Sequence, residues 1–531
     1  MPTLNWIGKE AVVDHHRHIP TRLLECDPKL SFGDPDTENL LVEGDNLEAL
    51  KALLPRYRGQ VKCIYIDPPY NTGNENWIYN DNVNDPRIKK WLGQVVGKEA
   101  EDLCRHDKWL CMMYPRLAML REFLTEDGVF LCSIDENEVY LLKTLLDEIF
   151  GSSAYLGTIV WKMRNVDNRV KSFLSTDHEY VLVYSKCGKL QGRVIDRSDF
   201  KNPDNDSRGS YTTDPLTGKA TAADRPNLHY EIVDARNGFV YQPDPARGWI
   251  TDRAGYEQLL KDNRIHWPPN PETGKPRKKR FLFEAAVRMP ESTFWAELKG
   301  QTGAAELDGI LGERVFAFPK SRELIQRLID VAAPDDAIVL DSFAGSGTTA
   351  HGVLQLNQSE GAKRKFILVE KLPDVAVNIT RERLKRVSQG YTAPSGDAVA
   401  GLGSGFRYCK LGRTLLDEFG DINGDVPFTD LARYVYLLET GVPVPKRPKK
   451  DCPLLGVHQE RAIYLLYNGV LGDRRPAGGN VLTNSVLAGL PPHPDGKGSR
   501  VIFGEATRLS ESTLARENIV FRQIPYSLRE S

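Results

Sequence analysis

The tetrapeptide Asp67-Pro68-Pro69-Tyr70 follows directly on an apolar run, Val61 to Ile66, whose length and composition predict a buried strand. A strand ending this way projects one carboxylate, two rigid backbone carbonyls and one aromatic face from the carboxyl edge of a sheet, where α/β proteins bind their ligands. The prolines fix the loop dihedrals. The carboxylate and a proline carbonyl can accept hydrogen bonds from an exocyclic NH2 while Tyr70 stacks on the ring, so the loop suits a flat, amine-bearing base. The plainer alternative is a Pro-Pro turn that merely ends a strand.

A second motif, Ile338-Val339-Leu340-Asp341-Ser342-Phe343-Ala344-Gly345-Ser346-Gly347-Thr348-Thr349, reads as an apolar strand, a glycine-punctuated turn and a helix starting near Thr348. Gly345 and Gly347 let the backbone approach a nucleotide-like ligand, or they simply start a helix. No G-x-x-x-x-G-K-[ST] pattern occurs in the chain, which argues against nucleoside triphosphate hydrolysis by this loop. Further on, Phe366 to Val369 is a short apolar strand ending in Glu370, an acid suited to a ribose diol by analogy with nucleotide folds.

Together these segments resemble the amino-methyltransferases of DNA that use S-adenosylmethionine: D-P-P-Y is similar to their catalytic motif and D-S-F-A-G-S-G-T-T to their cofactor motif. The catalytic motif comes first, which resembles the beta class. Leu41-Val42-Glu43-Gly44-Asp45-Asn46-Leu47, then Asp67 to Gly73, Trp77, Tyr79, Asn80 and Asp81, resemble the modification subunits of type III restriction-modification systems. The resemblance spans roughly residues 1 to 410.

It implies an α/β fold: a circularly permuted, Rossmann-like methyltransferase sheet of order 3-2-1-4-5-7-6, with an inserted target-recognition domain and a small carboxyl-terminal domain. Residues 338–341 become strand 1, 366–370 strand 2, 40–45 strand 3, 61–66 strand 4 and 129–134 strand 5, closed by 159–161 and 180–184. Apolar residues at helical spacing predict helices over 47–54, 114–124 and 139–149. Asp45 then shares an edge with Asp341 and Glu370, as a partner for the cofactor's adenine or as the N-cap of the following helix. Phe316-Ala317-Phe318-Pro319-Lys320-Ser321 precedes a helix over 322–331. The family places such an element, with Phe318 and Lys320, against the methionine end of the cofactor; the alternative is a corner with Lys320 in water. The implied cofactor set is Asp45, Phe318, Lys320, Asp341, Phe343, Ala344, Gly345, Gly347, Thr348 and Glu370, and the implied catalytic set is Asp67, Pro68, Pro69 and Tyr70.

At 531 residues the chain suggests two to four domains, and its 40% hydrophobic and 27% charged content is ordinary for a globular protein. No apolar run approaches a bilayer span, and the start lacks a basic region followed by an apolar stretch, so a cytoplasmic protein is expected. Eight cysteines without a C-x-x-C pair favour free thiols. His15-His16-Arg17-His18 fits a polar surface turn better than a metal site, and no metal is expected to be required.

With a net charge of −2, nucleic-acid binding must rest on local patches. The strongest is Lys275-Pro276-Arg277-Lys278-Lys279-Arg280, which supplies Lys275, Arg277, Lys278, Lys279 and Arg280 as candidate phosphate contacts. Lys363-Arg364-Lys365 and Lys446-Arg447-Pro448-Lys449-Lys450 are the others, and any of them can be a solvated loop. The chain divides into an amino-terminal arm (1–39), a catalytic half (40–187), an insertion where the family carries target recognition (188–300), a cofactor half (301–388), a linker (389–405) and a carboxyl-terminal domain (406–531) of unreadable role.

The chemistry follows from the acceptor. An adenine N6 amine is a poor nucleophile because its lone pair is delocalised, and hydrogen bonds to Asp67 and the Pro68 carbonyl would restore that lone pair toward the methyl donor. The resemblance implies adenine-N6 methylation of double-stranded DNA, a homodimer and a separate restriction subunit. Cytosine-N4 methylation and a non-catalytic DNA-binding subunit are the alternatives, and Asp67, where the family's cytosine-N4 members more often carry Ser, favours adenine.

Overall fold

The computed structural model describes residues 3–72, 105–170, 174–417, 421–424, 426–469, 473–494, 496 and 498–525. Gly73, Trp77, Tyr79, Asn80, Asp81 and Cys104 lie outside the described residues. Among the described residues, ten strands form one sheet: β1 (Arg22–Phe32), β2 (Leu40–Glu43), β3 (Val61–Ile66), β4 (Leu124–Ile134), β5 (Tyr155–Lys162), β6 (His178–Ser185), β7 (Phe294–Trp295), β8 (Ile338–Asp341), β9 (Lys365–Glu370) and β10 (Phe406–Thr414). Their spatial order is β1-β10-β2-β9-β8-β3-β4-β6-β5-β7. In family numbering the stretch from β2 to β5 reads 3-2-1-4-5-7-6. Strands β2, β9, β8, β3 and β4 run parallel, and β6 turns antiparallel to β4.

Alternation along each strand sorts the core into two faces. Ile64, Phe130, Leu340 and Ile367 face one side, against Leu50 and Leu53 of α1 (Asn46–Tyr57), Trp109 and Leu117 of α2 (Arg105–Phe123), and Leu142 and Leu146 of α3 (Val139–Phe150). Tyr65, Leu131, Val339 and Leu368 face the other, against Leu324 and Leu328 of α4 (Arg322–Ala332) and Val353 of α5 (Thr348–Glu360). Leu50, Leu117, Leu142 and Leu324 are fully buried, so truncating one to Ala costs ~2–5 kcal/mol.

Three edge strands depart from the expected division. The amino-terminal arm supplies β1, which pairs antiparallel with β10, and β10 pairs parallel with β2. The segment after 405 therefore begins inside the central sheet. Phe294–Trp295 pairs with β5 as β7, and the Gln191 amide bonds to Val331 O at 3.0 Å. Both contacts pull the insertion's boundaries inward, and residues 192–290 form a compact unit distinct from residues 1–191 with 291–531. That unit has a three-stranded antiparallel sheet of Ile265–His266, Arg277–Phe281 and Tyr211–Pro215, over a core including Ile232, Trp249 and Tyr256. The expected linker contains a two-stranded pairing of Gly390–Thr392 with Ala398–Ala400. Beyond it, helix Phe428–Thr440 packs on strands Leu454–His458 and Arg461–Leu465 of a four-stranded sheet.

The free-thiol expectation fails at one pair. Cys26 and Cys409 stand directly opposite each other across β1 and β10 and are joined by a disulfide. Spacing could not show this, because the pairing of the two strands brings together residues separated by 383 positions. Cys63 and Cys132 are buried and free, as expected of strand residues. Among the described residues, no helix is long and apolar enough to cross a membrane.

Candidate active site

Strand β3 ends at Ile66, and the next four residues, Asp67 to Tyr70, form a loop at the carboxyl edge of the sheet. Trp109 of α2 donates its indole N–H to Pro69 O at 2.7 Å, anchoring the loop from one side. Asn71 leaves it in the left-handed region with φ 58°. The Tyr70 hydroxyl donates to Glu179 Oε2 at 3.1 Å.

The Lys320 ammonium stands 3.0 Å from Asp67 Oδ1 and 3.5 Å from Glu179 Oε2, and lies 4.6 Å over the Tyr70 ring. It is therefore not a solvated corner residue. Burial alone would lower its pKa, but the Asp67 and Glu179 carboxylates outweigh burial and hold it above the ordinary lysine value. Burial raises Glu179, with Lys320 opposing and Asp67 reinforcing the shift. Glu179 escaped the motif reading. It arrives because β6 runs antiparallel to β4 with Tyr180 opposite Ile134, which places the start of β6 at the same edge as the end of β3. A lone acid at the head of an apolar strand was the one available signal.

The glycine turn leaves the end of β8, the strand paired in parallel with β3. Asp341 is buried at 2% exposure and accepts from the Phe343 amide at 2.9 Å and the Thr349 hydroxyl at 2.5 Å. Burial pushes its carboxyl up to about 7 despite these two bonds. Gly345 and Gly347 adopt φ 49° and 76°, the left-handed region that glycine occupies without penalty. A Cβ on Gly345 would approach Phe316 Cζ to 3.3 Å, so the turn leaves a backbone surface open beside an aromatic ring. Glu370 accepts from the Gly345 amide at 2.8 Å and the Leu372 amide at 3.0 Å, and burial raises its pKa. Thr348 accepts from buried Arg383 at 2.8 Å, and Thr380 donates to Gly345 O at 2.6 Å from a π-helical turn. Asp341, Glu370 and Thr348 thus brace the turn with their polar atoms.

One cavity of about 410 Å³ joins both motifs, within the usual range for small-ligand sites. Asp67, Pro68, Pro69, Phe318, Lys320, Asp341, Phe343, Ala344, Gly345, Thr348 and Glu370 line it, together with Phe316 and Pro319 of the same 316–321 element and with Leu372 and Val375, which the motifs did not single out. Phe318 is 85% exposed at its rim. An apolar cleft with a backbone surface at Gly345 and an acid at its end fits a nucleoside-bearing cofactor such as S-adenosylmethionine.

Of the expected site residues, Tyr70 and Gly347 flank this cavity in sequence without lining it, and two further assignments change. Asp45 does not line the cavity: it caps α1 by accepting from the Leu47 amide at 2.9 Å, and it pairs with Arg116 at 3.3 Å and Lys371 at 3.1 Å. Burial opposes its ionisation, but those two cations prevail and lower its pKa. In the basic run, Arg277–Phe281 is a strand whose alternation turns Lys279 inward. Lys279 is 1% exposed and paired with Asp204 and, at 3.3 Å, with Asp206, so it is a structural ion pair and not a phosphate contact. Arg280 pairs with Asp214 at 2.9 Å. Lys275 and Arg277 are exposed and line a cavity of about 380 Å³ with His266 and Thr213. Arg364 of the second basic run is likewise buried, between Asp335 and Glu360.

Residues 61–376 match the family model described as DNA methylase. The type III restriction-modification enzyme StyLTI Mod subunit of Salmonella typhimurium is 31% identical over 419 residues, covering 72% of this chain and 62% of that protein. The EcoPI Mod subunit of Escherichia phage P1 is 30% identical over 463 residues, covering 75% and 69%. The type II methyltransferase M.KpnI of Klebsiella pneumoniae is 32% identical over 358 residues, covering 63% and 81%. The chain thus spans less than two thirds of the length of the StyLTI subunit. The matched region runs from the first residue of β3 through β8 and β9, so it contains both motifs and the cavity between them. The chain belongs to the DNA methylase family, in which it is similar to the Mod subunits of type III restriction-modification enzymes.

Proposed function

We propose that the chain is a sequence-specific DNA methyltransferase that uses S-adenosylmethionine to methylate the N6 amine of an adenine flipped out of duplex DNA. The observation that carries this reading is the shared cavity: the Asp67-Pro68-Pro69 loop and the Phe343 to Ser346 turn open into the same space. Phe316, Phe343, Gly345 and Glu370 would hold the cofactor, whose sulfonium supplies an already activated methyl group. The chain's own work is to position the amine, orient its lone pair and exclude water.

Asp67 and the Pro68 carbonyl accept from the amine, and Tyr70 offers a ring face to the base. Stacking of this kind contributes roughly 1–3 kcal/mol per base and offsets part of the few kcal/mol that unstacking costs. Lys320 already occupies one side of the Tyr70 ring and one oxygen of Asp67, which fixes the carboxylate before the base arrives. Glu179 holds Lys320 and the Tyr70 hydroxyl in place. The modification role in a restriction-modification system, a restriction partner, a homodimer and sequence reading by residues 192–290 belong to the same proposal. Similarity to Mod subunits supports the modification role and the restriction partner, the exposed Lys275 and Arg277 support DNA contact by the 192–290 unit, and the homodimer rests on the family resemblance alone.

The test is nucleoside mass spectrometry of duplex DNA incubated with the full chain and S-adenosylmethionine. N6-methyladenine is the expected product. N4-methylcytosine would reassign the acceptor, and no methylated base from any duplex would overturn the reading.

A further inference from the structure

A second charged cavity, of about 620 Å³, opens at the edge of the sheet opposite the catalytic loop. Arg407 is near the start of β10 and pairs with Leu40 at the start of β2, and Arg56 is in the last turn of α1. Both strands run from here toward the edge that carries Asp45 and Glu370. Arg433 of the helix Phe428–Thr440 joins them, and Lys446 and Arg447 of the third basic run complete the wall.

The positive charge here is only partly compensated among the described residues. Two carboxylates line the cavity with the basic groups, Asp36 and Glu38; Glu38 is engaged by Lys365 and lies 3.7 Å from Arg56, and Arg433 pairs with Asp430 at 3.0 Å. Arg407 Nε is buried without a hydrogen-bond partner. Burial, together with the Arg56 and Arg447 charges, lowers the pKa of Arg407, and burial with the same two charges lowers that of Arg433 against the pull of Asp430. Four guanidinium groups and Lys446 face only Asp36 and Glu38 in the lining, so the cleft carries an excess of positive charge that a bound anion would offset.

The donor chemistry favours phosphate. Guanidinium forks match phosphate oxygens bidentately. Apart from prolines, the lining offers a single aliphatic side chain, Val444, which is too little for the apolar anchor of a protein interface. Exposed Lys449 and Lys450 continue the basic track beyond Lys446 and Arg447. We propose that this cleft binds the phosphate backbone of duplex DNA, on a stretch separate from the flipped base. The site lies away from both motifs, so the proposal rests on the protein acting on DNA and on neither the methylated base nor the cofactor assignment.

The experiment uses the full chain with exposed Lys446→Glu and Arg447→Glu introduced together, and separately Arg433→Gln. Fluorescence anisotropy of a labelled duplex is measured from about 50 to 200 mM salt, with calorimetric titration of inorganic triphosphate in parallel. The double variant should flatten the slope of log affinity against log salt by about 2, two phosphate contacts at ~0.9 each. Affinity at the lowest salt should fall at least tenfold, with S-adenosylmethionine affinity unchanged. Arg433→Gln should flatten the slope by about half as much. Unaltered slope and affinity in both variants would overturn the proposal. Loss of triphosphate binding with DNA affinity intact would overturn it as well, leaving a site for free phosphate compounds.

Discussion

Replacing Asp341 by Asn tests whether the carboxylate beneath the glycine turn is carried neutral. Its pKa rises from the ordinary 3.8 to about 7, because burial at 2% exposure outweighs the bonds from Thr349 and Phe343. A carboxyl raised in the folded state contributes stability that is fully present below its unfolded value and is lost as pH rises through the folded one. Between pH 4 and pH 7 the unfolded chain has released this proton and the folded chain retains it. Each pH unit across that window costs ~1.4 kcal/mol, so the group withdraws ~4 kcal/mol of stability by neutral pH. Asparagine mimics the neutral acid: Oδ1 still accepts from the Phe343 amide, and Nδ2 donates to the Thr349 hydroxyl. It does not titrate. Asp341→Asn should therefore gain about 3–4 kcal/mol relative to the native chain between pH 4.5 and 7.5. Urea unfolding read by hydrogen exchange over peptides spanning 338–354 isolates this turn from the 192–290 unit. A difference between variant and native chain that stays flat across those pH values would refute the argument.

Asp67→Ala should abolish methyl transfer while leaving S-adenosylmethionine affinity, measured calorimetrically, within about threefold, since Asp67 is assigned to the acceptor amine; a variant still active on duplex DNA would sink the mechanism. Gly345→Val should weaken cofactor binding at least tenfold, because a β-branched residue at φ 49° costs ~1–2 kcal/mol and its Cβ meets Phe316 at 3.3 Å. Lys279→Ala should lower the stability of the 192–290 unit by ~3 kcal/mol, leaving buried Asp206 with Arg208 as its one cation among the described residues and Asn263 as a neutral donor, whereas Lys275→Ala should leave unfolding unchanged and weaken DNA binding. Equal unfolding curves for the two lysine variants would return Lys279 to the DNA-contact set.

What the sequence made legible was local. Asp67 to Tyr70 and Phe343 to Thr348 each carry their meaning within one strand-turn unit, and β3 and β8 have the bounds that their apolar runs predict. What stayed hidden was set by pairing between distant segments or by which way a side chain points. Glu179 reaches the site through the antiparallel register of β6, and Cys26 meets Cys409 through the register of β1 with β10. Lys279 belongs to a run that composition reads as a surface patch, yet strand alternation gives it the same inward face as Phe281. Asp45 has the right edge and the wrong neighbours, because Arg116 and Lys371 arrive from elements read separately.

The same long-range contacts explain how the segment carrying Asp67 to Tyr70, which precedes the segment carrying the glycine turn, can still share one cavity with it. Asn46, at the head of α1, donates to Ser342 O at 3.2 Å and is itself held by Arg116 of α2. Lys320 carries the junction to the other side through Asp67 and Glu179. Both junctions join spatial neighbours whatever the order in which the chain supplies them. An insertion between the halves therefore leaves the site intact as long as β3 and β8 remain paired, which they do through Val339 with Cys63 and Leu340 with Ile64.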